Sequence, residues 1–195
     1  MLKRILKRAM LLLGLIITLP LIILSYIESL LFGKSSERIF ANCKEFLAVW
    51  PTIIGQYMRL GFYWATCTKI SPDVSLLLGS MIAHRDTTIG SNVVIGCYSI
   101  IGYAEIGDNV IMGSRVSIIS GKYTHGKPGH RDRNNEIKDL MVKIIVGDNC
   151  WIGEGALLLA NVGTNCTVGA GSVVFKDFQD NITIMGNPAR KVSFG

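Results

Sequence analysis

The segment VGDNCWIGEGALLLANVGTNCTVGAGSVV, residues 146–174, decides the fold, because an aliphatic residue returns in it about every six positions, mostly with glycine next. Its aliphatic positions are Val146, Ile152, Leu158, Val162, Val168 and Val174. The segment 89–118 repeats the pattern at Ile89, Ile95, Ile101, Ile106, Met112 and Ile118. Two steps, 101 to 106 and 158 to 162, are shorter than six. Period six predicts one short strand per repeat, whereas a hairpin sheet would alternate with period two.

The residue four positions after most of these aliphatic residues is small or β-branched, so it also suits the interior of a coil. These residues are Val93, Ser99, Val110, Val116, Cys150, Ala156, Cys166 and Ser172. Three six-residue repeats close one triangular coil of about eighteen residues, and one coil cannot bury its own core, so the coils must stack. The pattern therefore predicts a stack of coils built from parallel strands.

A polar segment without a six-residue period separates the two repeat runs. It has the sequence GKYTHGKPGHRDRNNEIKDLMVK and comprises residues 121–143. An insertion of this length must leave the coil stack at a corner. Loops held on a rigid scaffold often carry function. Two of the three histidines, His125 and His130, lie in it.

The N-terminal part has the composition of a membrane anchor. Ala9 to Ile27 contains no charged residue in 19 positions, close to the ~20 residues that cross a bilayer. Cations precede it, as expected of a cytosolic end; they are Lys3, Arg4, Lys7 and Arg8. We expect residues 1–70 to form a membrane-anchoring helical region, and residues 71–195 a β-helix domain with an inserted loop at 121–143.

Two features favour an anchor that does not cross the membrane. Pro20 lies near the middle of the uncharged run, where a proline removes a helical hydrogen bond and bends the chain back. The second apolar stretch, Phe46 to Cys67, contains Arg59 and is interrupted by proline and glycine, which is typical of an interfacial or re-entrant segment. We therefore expect the chain on the cytoplasmic face of the inner or plasma membrane; a single span remains the alternative.

Charge and cysteine content exclude other classes. The net charge is +6, and four of those charges lie in the first eight residues, so the remaining 187 residues carry 6 − 4 = +2. A nucleic-acid-binding protein would spread basic charge over a folded face, so no nucleic-acid partner is expected. The five cysteines are odd in number and form no CxxC pair, which argues against a disulfide framework or a zinc site.

The motifs IGSNVVIGCYSIIG, IGDNVIMG, VGDNCWIGEGALLLANVG, CTVGAGSVVFKD and GNPAR resemble the hexapeptide-repeat acyltransferases over about residues 73–192. The tail GAGSVV…GNPAR is most similar to sugar O-acetyltransferases. The segment FYWATC…GSMIAHRDTTIG, behind a hydrophobic anchor, resembles acetyltransferases of surface-polysaccharide biosynthesis. The resemblance implies an all-β, left-handed parallel β-helix, preceded here by membrane-associated α-helices. It also implies a homotrimer with active sites in the clefts between subunits.

The resemblance implies that His125 is the catalytic base, because a histidine follows the first repeat run in the family. A neutral imidazole accepts the proton of a hydroxyl as that hydroxyl attacks a thioester, and its ordinary pKa leaves the base form dominant at neutral pH. Backbone amides in the cleft would stabilise the oxyanion. A loop histidine without a task is the alternative.

The resemblance also implies a site for the acyl donor, acetyl-CoA. Trp151 would line the acyl-CoA cleft, or else be an aromatic residue of the trimer interface. Small residues would let pantetheine lie along the coils: Gly163, Ala170 and Gly171. Cations near the C-terminal end would bind the CoA phosphates, unless they are ordinary solvated charges: Lys176, Arg190 and Lys191. His84 would bind the acceptor or cap the first coil.

The expected function is transfer of an acetyl group from acetyl-CoA to a hydroxyl of a saccharide, namely a polysaccharide or lipid-linked glycan precursor, without a metal. One alternative is a metal hydratase resembling the γ-class carbonic anhydrases, because His125 and His130 have the H-x4-H spacing of two of its zinc ligands. A non-catalytic scaffold is another, and an amino group remains possible as acceptor.

Overall fold

The structure is a computed structural model that describes residues 2–33, 35–121 and 140–193, with side chains from residue 5 onward. Three helices come first: α1 (Leu2–Phe32), α2 (Arg38–Ala48) and α3 (Thr52–Thr66). Within the described residues sixteen short strands follow and form three sheets, and each of the first four coils contributes one strand to each sheet.

The sheets are named A, B and C in the order in which the chain meets them. Sheet A contains β1 (Lys69–Ile70), β4 (Thr88–Ile89), β7 (Ala104–Ile106) and β10 (Ile144–Val146). Sheet B contains β2 (Ser75–Leu76), β5 (Val94–Ile95), β8 (Ile111–Met112), β11 (Trp151–Ile152), β13 (Thr167–Val168), β15 (Thr183–Met185) and β16 (Arg190–Val192). Sheet C contains β3 (Met81–Ile82), β6 (Ile100–Ile101), β9 (Ser117–Ile118), β12 (Leu157–Leu158) and β14 (Val173–Val174). All pairings are parallel except that of β15 with β16.

The turns between sheets form three corners, named AB, BC and CA after the sheets they join. At corner AB, asparagines with φ between 55° and 58° stack from coil to coil, a conformation that asparagine adopts more readily than most residues. They are Asn92, Asn109, Asn149, Asn165 and Asn181.

The core confirms the repeat pattern. Every predicted aliphatic position of the two runs is at most 2% exposed, from Ile89 to Val174. The small or branched positions, such as Val93 and Ser172, are equally buried. The predicted β-helix is therefore confirmed as a solenoid of about five coils with parallel sheets, whereas its left-handedness stays a prediction.

One coil lies outside the predicted runs. Ile70, Leu76 and Ile82 follow the six-residue period and are 4%, 0% and 0% exposed. The residues after them are Ser71, Leu77 and Ala83 instead of glycine. The two repeat runs therefore omitted the first coil, because they relied on the glycine beside each aliphatic residue, although the predicted β-helix domain, 71–195, includes most of this coil.

Helix α1 crosses α3 at very short range. A Cβ atom added to Gly14 would lie 2.1 Å from the carbonyl oxygen of Tyr57, and one added to Gly61 would lie 2.8 Å from the backbone nitrogen of Leu15. Glycine at both positions is what allows the two backbones to touch. Helix α1 also continues through Pro20 to Phe32, so the chain does not turn back at Pro20 as predicted.

The predicted re-entrant stretch from Phe46 to Cys67 is the end of α2, a turn and α3. Arg59 is 1% exposed, and its guanidinium donates to the carbonyls of Leu47 at 3.1 Å, Trp50 at 2.8 Å and Leu76 at 3.2 Å. Burial lowers the pKa of Arg59, and these carbonyls supply the hydrogen bonds that a buried guanidinium needs. Arg59 therefore joins α2, α3 and the first coil through hydrogen bonds inside the protein.

Candidate active-site surface

The polar insertion begins and ends at corner CA. The backbone N–H of Val142 donates to the carbonyl of Ser120 at 2.9 Å, so the two ends of the loop are adjacent. Gly121 has a φ of +95°, and a Cβ there would lie 3.0 Å from the Cβ of Val142. His125 and His130 lie between these ends, in 122–139, outside the described residues.

A cavity of about 430 Å³ lies at the base of this loop. Its lining comes from three successive turns of corner CA: Gly121, Val142, Ile144, Leu159, Ala160, Asn161, Lys176 and Asp177. Asn161 accepts from the N–H of Ile145 at 2.8 Å, and its own N–H donates to Asp177 at 2.9 Å. These bonds hold the polar wall in place, and the exposed Lys176 adds a positive charge beside it.

The small residues predicted to bind pantetheine lie elsewhere. Ala170 and Gly171 are exposed at corner BC, and Gly171 has open space where a side chain would be. Gly163 lies at corner AB, where a Cβ would be 2.3 Å from a carboxylate oxygen of Asp180. Close packing between successive coils therefore accounts for glycine at 163, whatever else this residue does.

Trp151 lies on the outer face of sheet B and is 58% exposed. Its strand neighbours are Ile111, which is 52% exposed, and Thr167. Arg190 is exposed on β16 at the edge of the same sheet, opposite Met185. A single chain thus brings Lys176 to the loop, but it places the other predicted CoA-binding residues on two other corners and on sheet B.

His84 lies on corner CA of the first coil, two coils away from the loop. Its Nδ1 is 2.9 Å from a carboxylate oxygen of Glu37, and the other oxygen of Glu37 accepts the N–H of Arg85 at 2.8 Å. Of its two predicted roles, these contacts support the one in which His84 caps the first coil.

A buried cluster around Glu28 was not predicted. Glu28 is 1% exposed and accepts from Arg85 at 2.9 Å, from the N–H groups of Ile39 and Phe40 at 2.8 and 3.1 Å, and from Ser36 at 3.0 Å. Burial raises the pKa of Glu28, but these bonds together outweigh it, so the pKa is lowered from 4.5. The available sequence signal was that Glu28 is the first acidic residue of the chain, at the end of an apolar run.

The described residues contain no group of three or more His, Cys, Asp or Glu side chains placed to hold a metal ion. All five cysteines are free thiols. The histidine pair of the hydratase alternative lies in 122–139, so that alternative stays untested.

The stacked parallel coils define the class of this chain as a β-solenoid of hexapeptide repeats, here with a helical N-terminal region. The sequence matches no protein-family model and no curated protein. Solved structures do match. The fold is similar to that of a maltose O-acetyltransferase from Clostridium difficile 630, with a TM-score of 0.64 and 22% identity over 80% of this chain and 84% of that one.

Two further solved structures have a similar fold. A galactoside acetyltransferase in complex with coenzyme A has a TM-score of 0.62 and 19% identity over 83% of this chain and 82% of that one. A hexapeptide-repeat-containing acetyltransferase from Vibrio cholerae has a TM-score of 0.59 and 16% identity over 82% and 91%. At these identities the similarity establishes the fold, and the activity has to be argued from the site.

Proposed function

We propose that the chain is an O-acetyltransferase that transfers an acetyl group from acetyl-CoA to a hydroxyl of a saccharide. The observation that carries the proposal is the cavity at corner CA, where the loop bearing His125 leaves the coils and Lys176 lies at the rim. The similarity to sugar acetyltransferases, one of them solved with coenzyme A, supports it.

The reaction needs a base for the acceptor and a place for the donor. His125 takes the proton of the acceptor hydroxyl as its oxygen attacks the thioester carbonyl. The carbon–sulfur bond then breaks, and the CoA thiolate receives the proton from His125. Lys176 is a cation that binds a CoA phosphate as a point charge.

The proposed assembly is a homotrimer, and it accounts for the scatter of the predicted donor-binding residues. In clefts between subunits, corner CA of one chain meets the surface of the next chain that carries Trp151, Ala170 and Gly171. The outer face of sheet B suits such a contact, since Ile111 and Trp151 expose 52% and 58% of their surface there. Apolar side chains exposed together in this way are typical of an interface.

The proposed acceptor is a polysaccharide or a lipid-linked glycan precursor at the cytoplasmic face of the membrane. Acetyl-CoA is a cytosolic metabolite, so the loop with His125 has to face the cytosol. A membrane-bound enzyme shares a surface with a lipid-linked acceptor, which raises the rate of their encounter.

The decisive experiment replaces His125 by alanine and measures thiol release from acetyl-CoA in the presence of a saccharide acceptor. We expect the rate to fall by about 10²–10⁴-fold, the usual contribution of a general base. The assembly should persist, because a loop histidine adds nothing to the coil core. His84→Ala is the control and should lose far less activity. A His125→Ala rate within about threefold of the parent protein, well short of that contribution, would overturn the assignment.

A further inference from the structure

We propose that the outer face of the helical region is a lipid-binding surface, and that α1 lies along the membrane interface without crossing it. Helices α1, α2 and α3 are called the cap below. The proposal deepens the membrane location given above, and it stands independently of acetyl transfer.

Helix α1 is apolar on its outer side and mixed on its protein side. Its buried positions are Leu11, Gly14, Thr18, Ile22, Ser25 and Glu28. Its outer positions include Leu12 at 58% exposure, Ile16 at 61%, Leu19 at 51%, Ile23 at 49% and Leu30 at 85%. The surface helix of a soluble protein instead turns charged and polar residues outward. The outer side of α1 therefore suits an apolar environment.

The rest of the cap also exposes apolar groups. Phe46 is 51% exposed, Trp50 44%, Ile53 60% and Trp64 44%. Tryptophan is enriched at the boundary between lipid and water, because its ring is apolar and its N–H is polar. The cap thus presents several large side chains of the kind that insert among lipid headgroups.

Both ends of α1 lie beside the first coils, and this decides the orientation. Near its N-terminus, Lys7 and Arg8 line one cavity together with Ser71, Asp73 and Ser91 of the solenoid. Near its C-terminus, Arg85 of the first coil donates to Ser25 Oγ at 2.6 Å and to Glu28 at 2.9 Å.

Lys7 and Glu28 are 21 residues apart in one helix, which is about 32 Å. The hydrocarbon core of a bilayer is about 30 Å thick. Ile5–Phe32 is long and apolar enough to cross it by length and composition alone. If α1 did cross, the polar groups of the first coils that lie beside its two ends would have to cross as well, at high cost. An orientation parallel to the membrane avoids this.

The positive charge near the N-terminus of α1 indicates which lipid headgroups the cap binds. The N-terminal segment carries four cations within its first eight residues, and Lys7 and Arg8 are exposed beside the apolar face. Cations next to an inserted apolar face bind anionic headgroups. The occupant is therefore a bilayer containing anionic lipid, and not a second copy of the chain.

The first test uses the full chain, purified in detergent and mixed with phosphatidylcholine vesicles with or without phosphatidylglycerol. The parent protein should float with the vesicles, more strongly when phosphatidylglycerol is present. The variant Leu12→Glu/Ile16→Glu should bind on the order of tenfold more weakly, because two charges would enter the interface. Ile145→Glu is the matched control, since Ile145 is 46% exposed on sheet A, and it should float like the parent protein.

Acetyl transfer to a soluble saccharide should be the same in the double variant and in the parent protein, which separates this proposal from the proposed activity. Unchanged vesicle binding of the double variant would overturn the proposal. So would a loss of binding accompanied, without lipid, by a smaller oligomer in analytical ultracentrifugation, since the face would then join copies of the chain.

The second test decides between lying and crossing. One cysteine is introduced at Lys7 or at Ser36, and intact cells are treated with a membrane-impermeant maleimide, with the parent protein as background. Neither position should be labelled until the cells are lysed. Labelling of one end alone from outside would show a transmembrane helix and overturn the proposed orientation.

Discussion

The guanidinium of Arg85 lies 2.9 Å from the carboxylate of Glu28, and the two residues are 8% and 1% exposed. They are 57 positions apart in sequence, one in α1 and the other at the end of the first coil. This ion pair joins the cap to the solenoid inside the protein. Removing either partner leaves a buried charge without compensation, and that is costly.

Replacing Glu28 by glutamine should therefore destabilise the protein by about 3–5 kcal/mol, the usual effect of breaking a buried pair. Chemical denaturation in detergent measures the loss. Glu154→Gln is the control, because Glu154 pairs with Arg115 where the two side chains are 54% and 70% exposed. Exposed pairs contribute at most about 1 kcal/mol. Equal losses in the two variants would contradict the role assigned to Glu28.

The ion pair between Glu28 and Arg85 also predicts that the packing of the cap is less stable at acidic pH. The pKa of Glu28 is lowered in the folded protein, so its carboxylate stabilises the fold fully above about 4.5, its ordinary value. That contribution is lost as the pH falls through the lower folded-state pKa. The stability difference between the parent protein and Glu28→Gln should consequently shrink between pH 5 and pH 3. A difference independent of pH over this interval would show that ionisation of Glu28 is not what stabilises the cap.

Replacing Lys176 by alanine should raise the KM for acetyl-CoA by about tenfold and leave kcat nearly unchanged, because a phosphate contact binds substrate and transition state alike. Steady-state kinetics with acetyl-CoA as the varied substrate gives both constants. Lys69→Ala is the matched control, since Lys69 is an exposed lysine on sheet A away from corner CA. A drop in kcat with an unchanged KM would place Lys176 in the chemical step instead.

The purified protein should contain no stoichiometric transition metal, and chelators should leave acetyl transfer unaffected. The expectation follows from the proposed chemistry, in which His125 acts on a proton and not as a metal ligand. Elemental analysis and an activity assay after chelation check it. One zinc per subunit, with activity lost on its removal, would favour the hydratase alternative.

The solenoid could be predicted because its physical requirement recurs in the sequence. An inward aliphatic residue is needed once per strand, and glycine allows successive coils to approach, as at Gly163. The first coil lacks that glycine, so its Ile70, Leu76 and Ile82 show the period alone; this is the coil against which the cap packs. The contacts between the cap and the first coil join residues that are distant in sequence, so no local sequence pattern predicts them.

Even less of the cap than of the solenoid could be predicted from the sequence. An uncharged run predicted a helix, but not which side of that helix faces the protein. The stretch around Arg59 was interpreted as interfacial or re-entrant because the three carbonyls that accept from its guanidinium come from other elements and cannot be identified from the sequence. At the candidate site, the residue types suggested Lys176 and Trp151, which the structure places on different surfaces of one chain, at corner CA and on sheet B.

The stack of coils also sets a length. The cap touches the first coil, whereas the cavity at corner CA begins at the turn that closes the third, and each coil adds about 4.8 Å, the spacing of adjacent strands. The cavity is thus held roughly 10 Å from the first coil by two such steps. Inserting or deleting one coil, about eighteen residues, would change that distance by one step while preserving the packing within every other coil. The number of coils before the loop therefore sets the distance between the cap and the candidate site.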